Sequence, residues 1–182
     1  MQDGQRGVEW IESNRLEGVV EKGAYGGQQW VEVASEVLVD LCRELKENPD
    51  TSYDFLVDVT AVHRPERREP MEMVYHLYSF AHDDCLRLKV RCGDEGPVPS
   101  LCSIWRAADW NERETYDMFG IRFDGHPDLR RILMYDEFVG FPLRKDYPQN
   151  ARQPLIRRPD APATDDQTTR LLEGSHDRRV SG

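Results

Sequence analysis

From Cys85 to Cys92 the chain alternates without a break: Leu86, Leu88, Val90 and Cys92 are apolar, and Arg87, Lys89 and Arg91 between them are cationic. A period of two sends successive side chains to opposite sides of an extended backbone. The segment therefore reads as a strand with one face in a core and the other in water or against a partner, and a slip of one residue would exchange the two faces.

The other elements follow from the same kind of pattern. Residues 18–21 and 29–33 read as two short strands of a hairpin, joined through Lys22–Gly27, whose glycines permit positive backbone dihedrals. Ser35 is placed to cap a helix running to about Glu47, because Val37, Leu38, Leu41, Cys42 and Leu45 recur at the spacing of one apolar stripe, and Asn48-Pro49 ends it. Residues 55–62 read as a strand with Phe55, Val57, Val59 and Ala61 on one face, and the charged run 64–70 as a solvated loop. Residues 71–80 give another strand. A helix is expected from about Ala107 to Phe119, with Ala108, Tyr116 and Phe119 on one face and Gly120 closing it in the left-handed conformation. His126-Pro127 can open a further short helix, with Leu129, Ile132 and Leu133 pointing one way.

The chain has 182 residues, enough for one globular unit with a core plus a tail. We place the domain at residues 1–147 and an extended tail, disordered or bound to a partner, at 148–182, where four prolines, scattered arginines and few large apolar residues leave little surface to offset ordering. The formal net charge of −10 argues against nonspecific attraction to nucleic acid or to an anionic membrane. No run of residues approaches the length of a spanning helix, and the start lacks a basic region followed by an apolar run, so the expectation is a chain that stays in the cytoplasmic compartment. The four cysteines, at 42, 85, 92 and 102, form no Cys-x-x-Cys pair and read as reduced thiols.

Charges, aromatics, glycines and prolines are densest between Trp110 and Pro148. Arg113 and Asp117 stand four apart on the expected helix, where the plain reading is an exposed ion pair worth a few tenths of a kcal/mol. That reading leaves Glu114 unassigned. Helical geometry puts Trp110, Glu114 and Asp117 on one side, an aromatic beside two carboxylates, and we read this as a network buried at an interface, since burying such charges requires partners. Carboxylates of this kind could instead bind a divalent metal or do acid and base chemistry, through Glu112, Glu114 and Asp117, but the five histidines show no ligand spacing. His126 reads as a turn or capping residue before a catalytic base. Arg144, Lys145 and Asp146 form a charged cluster in a stretch expected to be extended. Neither a dinucleotide nor a nucleotide phosphate cradle is present, nor a nucleophile elbow.

The stretch also carries a resemblance. Glu112-Arg113-Glu114, Tyr116-Asp117-Met118-Phe119-Gly120, Gly125-His126-Pro127, Leu129 with Arg131-Ile132-Leu133, and Pro142-Leu143-Arg144-Lys145-Asp146-Tyr147 closely resemble the signature of the C-subunit family of NADH-quinone oxidoreductase, the 30 kDa subunit family of respiratory complex I. The resemblance implies an α+β fold, a two-layer domain with a mixed sheet and helices on one face, followed by an extended C-terminal tail. It implies a noncatalytic scaffold in the hydrophilic arm of a proton-translocating complex, peripheral on the cytoplasmic side of the bacterial inner membrane. There it would brace the D subunit, which helps form the quinone site, near the iron-sulfur B and I subunits. It also implies that this chain holds no cofactor, FMN and iron-sulfur clusters being carried by partner subunits. Trp110, Arg113, Glu114, Asp117, His126, Arg130, Arg131, Arg144, Lys145 and Asp146 are the candidates for interface or interface-supporting roles. Two other readings stand beside this one: the equivalent subunit of a related membrane-bound hydrogenase or ferredoxin- or F420-linked dehydrogenase, and a stand-alone metal-dependent enzyme.

Overall fold

A computed structural model describes residues 5–14 and 17–154. The chain divides into two units, Met1–Arg152 and Gln153–Gly182; the fold that follows is that of the first. Of the expected tail, 148–182, residues 155 onward lie outside the described residues.

The helices are α1 (Gln5–Ser13), α2 (Leu38–Glu47) and α3 (Ala108–Phe119). The strands are β1 (Val19–Tyr25), β2 (Gln28–Val33), β3 (Phe55–His63), β4 (Met71–Ser79), β5 (Asp84–Cys92), β6 (Val98–Pro99) and β7 (Phe123–Asp124). Five strands form one sheet in the order β1-β2-β5-β4-β3, and β6 and β7 form a small parallel pair. Within the larger sheet β2 and β5 run parallel and the remaining neighbours antiparallel, so it is mixed, and the α+β class expected from the resemblance holds.

The strand with the cleanest alternation is the middle one. Leu86, Leu88 and Val90 of β5 are fully buried and Cys92 nearly so, and both edges of β5 are paired. Full burial of a leucine side chain contributes about 1.5–3 kcal/mol, so this register is strongly fixed. Arg87, Lys89 and Arg91 point to the other face. There Lys89 lies over the Trp30 ring at 4.0 Å and Arg91 meets Glu32 at 2.7 Å, while Glu72 is covered by Arg67 at 3.1 Å and Lys89 at 3.5 Å. The polar face is thus an ionic layer.

The hairpin β1–β2 is present and tighter than expected. Pairing continues to Tyr25 and Gln28, leaving Gly26 and Gly27 as a two-residue turn at φ +61° and +85°, which side chains rarely adopt. In β3 the expected apolar face is wrong at its start. A bulge between Leu56 and Asp58 inserts one residue, so Leu56, Val59 and Ala61 face the core while Phe55 and Val57 are about half exposed. A pattern read at period two has no means of registering that extra residue.

Ser35 does not cap α2 through its side chain. It begins a short 3-10 turn, Ser35–Val37, that leads into the helix, and Leu38, Leu41, Cys42 and Leu45 form the buried stripe as expected. The sequence pattern gave no element for α1, which nevertheless buries Val8 and Ile11. All four cysteines are thiols, none of them in a disulfide. Among the described residues no helix is long and apolar enough to cross a membrane.

Candidate functional site

Helix α3 organises the signature segment. Its core face is Ala108, Glu112, Thr115 and Phe119, so two polar residues stand where apolar ones would be expected, and Tyr116 is only half-buried. The Thr115 hydroxyl contacts the Val59 carbonyl at 3.0 Å and that of Asn111 at 2.9 Å, tying the helix to β3 beside the bulge. Gly120 ends α3 at φ +80°, and a Cβ there would run into the Phe141 ring. Both demands select glycine.

The chain beyond β7 is no helix. Residues 126–147 form an irregular strap laid along the end of α3, with proline at position 127 beginning a turn instead of a helical first turn. Asp117 fastens it. Its Oδ1 accepts from Arg131 Nη1 at 2.8 Å, and its Oδ2 accepts the amides of Ile132, Leu133 and Met134 at 3.1, 2.7 and 2.8 Å. The carboxylate is fully buried. Burial pushes its pKa up, but the Met134, Leu133 and Ile132 amides and the Arg131 guanidinium pull harder, holding it below the usual aspartate value. A carboxylate in the last turn of a helix opposes the helix dipole, and these donors offset that cost.

Arg131 also donates to the Gly140 carbonyl at 3.1 Å and lies 5.2 Å from the Phe141 ring centre. Arg144 donates to the Phe119 carbonyl at the C-terminus of α3 and to the Asp94 carbonyl, and it too sits beside Phe141 at 5.1 Å. The Leu143 amide donates to the Met118 carbonyl at 3.1 Å, and Phe138 stacks on Tyr147 with ring centres 6.0 Å apart. Expected as an extended stretch, residues 142–147 are a series of turns.

The ten candidate residues therefore divide. Asp117, Arg131 and Arg144 are engaged within the chain, fastening strap to helix. The His126 side chain is fully buried, accepting the Asp128 amide at Nδ1 (3.0 Å) while Nε2 faces the Asp109 carbonyl at 3.2 Å, which is the turn role expected for it. Trp110, Glu114 and Arg130 are exposed. Arg113 lies over Trp110 at 5.2 Å and donates to the Arg130 carbonyl at 3.3 Å, so the Arg113–Asp117 pair does not form. Lys145 and Asp146 are exposed, yet the Lys145 amide donates to the buried His63 Nδ1 at 2.9 Å. Trp110, Glu114 and Asp117 do share a side of α3. Residues 131–134 of the strap close over Asp117, which is buried by its own chain, while the other two remain exposed.

The sequence reading missed the apolar side chains displayed by the strap itself. Leu133 is 57% and Leu143 52% exposed, and Trp110 on the helix is 61% exposed.

Glu112 was expected to join Glu114 and Asp117 in any metal set, and that set is not assembled: Glu114 faces solvent and Asp117 is saturated by four donors. Glu112 instead points inward, accepting from the Ser100 hydroxyl and the Leu101 amide, each at 2.7 Å, with Cys102 Sγ at 3.6 Å. Burial raises its pKa despite the Ser100 and Leu101 donors and the nearby His126. Burial likewise pushes the Cys102 thiol up to about 11. Donor atoms of Cys102, Glu112 and His126 lie within 4.8 Å of one another.

Similarity to known proteins agrees with the geometry. A family model described as the respiratory-chain NADH dehydrogenase 30 kDa subunit matches residues 31–153. One of the C subunits of the NADH-quinone oxidoreductase of Rhizobium meliloti (strain 1021), that numbered 2, is 50% identical over 133 residues, covering 72% of each chain. The NADH-quinone oxidoreductase C subunit of Geobacter sulfurreducens is 43% identical over 150 residues, covering 81% of this chain and 91% of that one. Among solved structures, a chain of the membrane-bound sulfane sulfur reductase, an archaeal respiratory membrane complex, superposes with a TM-score of 0.66 at 22% identity over 98% of this chain and 97% of its own. That likeness speaks for the fold.

Proposed function

The chain belongs to the respiratory-chain NADH dehydrogenase 30 kDa subunit family, and from this premise we propose that it is a noncatalytic scaffold subunit of an NADH-quinone oxidoreductase. It braces the D subunit at the quinone site, with the iron-sulfur B and I subunits nearby, in the hydrophilic arm on the cytoplasmic side of the inner membrane. Flavin and clusters belong to partner subunits of the complex, and the chain reaches the membrane only through the complex. Electron transfer and quinone chemistry depend on fixed distances, and a rigid brace supplies them.

One observation carries the reading: the strap is held in an irregular path by buried intrachain charges and still displays Leu133 and Leu143 to solvent. A segment fastened this firmly does not expose leucines for its own stability. Trp110 extends the same display onto α3, and aromatic anchors of this kind dominate protein interfaces. The roles of Asp117, Arg131 and Arg144 then become interface-supporting, and direct contact falls to Trp110, Glu114, Arg130, Lys145 and Asp146 with the two leucines. Relatives at 43 and 50% identity carry names of NADH-quinone oxidoreductase subunits, which favours this complex over a hydrogenase or a ferredoxin-linked dehydrogenase.

The test replaces Leu133 and Leu143 by aspartate, singly and together, in cells lacking the native chain. Assembled complex on native gels and NADH:quinone activity should fall together, while the isolated variants melt within about 0.5 kcal/mol of the parent, as exposed substitutions do. Normal assembly of the double variant would remove the strap from the interface.

A further inference from the structure

We propose that Cys102, Glu112 and His126 form a binding site for one Zn²⁺ ion, with water in the fourth position. The site is independent of the assembly role above. Its members come from three places brought together by the fold: Cys102 from the loop between β6 and α3, Glu112 from α3, and His126 from the turn after β7. One sulfur, one carboxylate oxygen and one ring nitrogen stand within 4.8 Å of one another. Thiolate, imidazole and carboxylate are the three ligand types of protein zinc sites, and three protein donors with one water suit the tetrahedral preference of this ion.

Protons now hold these donors together. The Cys102 thiol lies against Glu112 Oε2, and the His126 ring accepts the Asp128 amide at Nδ1 while its Nε2–H faces the Asp109 carbonyl. A divalent cation takes the place of the thiol proton, which leaves to solvent, so that the thiolate and the Glu112 carboxylate meet a positive charge instead of one another. The ring has one proton to place. If Nε2 binds the metal, the proton moves to Nδ1 and the Asp128 amide loses its acceptor; if Nδ1 binds, the metal takes the amide's place. Either route makes metal binding and the Asp128–His126 hydrogen bond mutually exclusive. The path in is short, because Cys102 is half-buried and the Asp109 side chain is 41% exposed, whereas the His126 side chain is fully covered.

The test titrates the reduced full chain with Co²⁺ as an optical stand-in for Zn²⁺. One equivalent should produce a thiolate-to-cobalt charge-transfer band that Zn²⁺ abolishes, and one equivalent of Zn²⁺ should slow alkylation of Cys102 at least about tenfold. Cys102→Ser should remove the band while leaving the fold intact, since the side chain is half-exposed and nearly isosteric. His126→Gln should weaken Zn²⁺ binding at least about tenfold, the lower end of what even indirect ligand support contributes. Amide exchange at Asp128 should quicken when Zn²⁺ binds. Absence of a charge-transfer band, or a band of full strength in Cys102→Ser, which would assign it to Cys42, Cys85 or Cys92, overturns the site.

Discussion

Asp117 and Arg131, fourteen residues apart, meet at 2.8 Å beneath the strap, the carboxylate fully buried and the guanidinium nearly so. The same carboxylate takes three consecutive amides, Ile132, Leu133 and Met134, so one side chain orders a loop that forms neither helix nor strand. Loop backbone normally stays on the surface because its polar groups need water. Here an anion supplied by α3 stands in for that water.

Asp117→Ala should destabilise the chain by about 3–5 kcal/mol, because it leaves a buried guanidinium and three amides without their acceptor. Denaturant melts of the purified chain measure it. A loss under about 1 kcal/mol would show that the strap is held mainly by its aromatic contacts.

Acidification tests the same carboxylate. Its folded pKa lies below the ordinary aspartate value, so its contribution to stability is present above that value and is lost as pH falls through the folded pKa. Glu112, whose folded pKa is raised, works with the opposite sign: its contribution favours the fold at low pH and declines as pH rises from the ordinary glutamate value through the folded one. The stability gap between parent and Asp117→Asn should therefore narrow below about pH 4. A gap that stays constant down to pH 2 would mean that Asp117 does not titrate with folding.

Gly120→Ala should cost about 1–3 kcal/mol from the positive φ alone, with more from displacement of Phe141. Because Phe141 sits beside both Arg131 and Arg144, the strap should loosen before the sheet does. Amide exchange would show this as faster opening at residues 132–134 and 143, with β4 and β5 unchanged. Uniform acceleration across the domain would deny the strap its separate identity.

The isolated chain should be colourless and redox silent, as expected from the missing flavin, cluster and nucleotide motifs. Zinc occupancy would leave this unchanged, since Zn²⁺ has no redox chemistry. Stoichiometric iron or flavin in correctly folded protein would refute the expectation.

What the sequence made legible was whatever repeats locally. The alternation of β5, the stripe of α2 and the glycine stop of α3 are each visible within a dozen residues, and each is present in the structure. Contacts between distant segments were not legible. The bulge at Val57 depends on how β3 meets β4, and the partners of Asp117 lie 14 to 17 residues away in a segment that reads as a short helix. Glu112 was grouped with Glu114 and Asp117 because its true partners, Ser100 and Leu101, lie outside the helix altogether. Charged side chains in this chain are often interior parts, and a sequence pattern scores them as exterior.

The parallel pairing of β2 with β5 has a bearing on synthesis. Val31 of β2 sits beside Leu88 of β5, and β3 and β4 lie between them in the chain but not in the sheet. When the β1–β2 hairpin leaves the ribosome, its inner edge has no partner, because the strand that will cover it is more than fifty residues from being made. Parallel pairing across such a distance forms late, after loop closure has been paid for in entropy. The nascent chain thus passes through an interval in which Val31 and Val33 are bare and a strand edge is open, and the hairpin must wait, or be shielded, until Leu88 arrives.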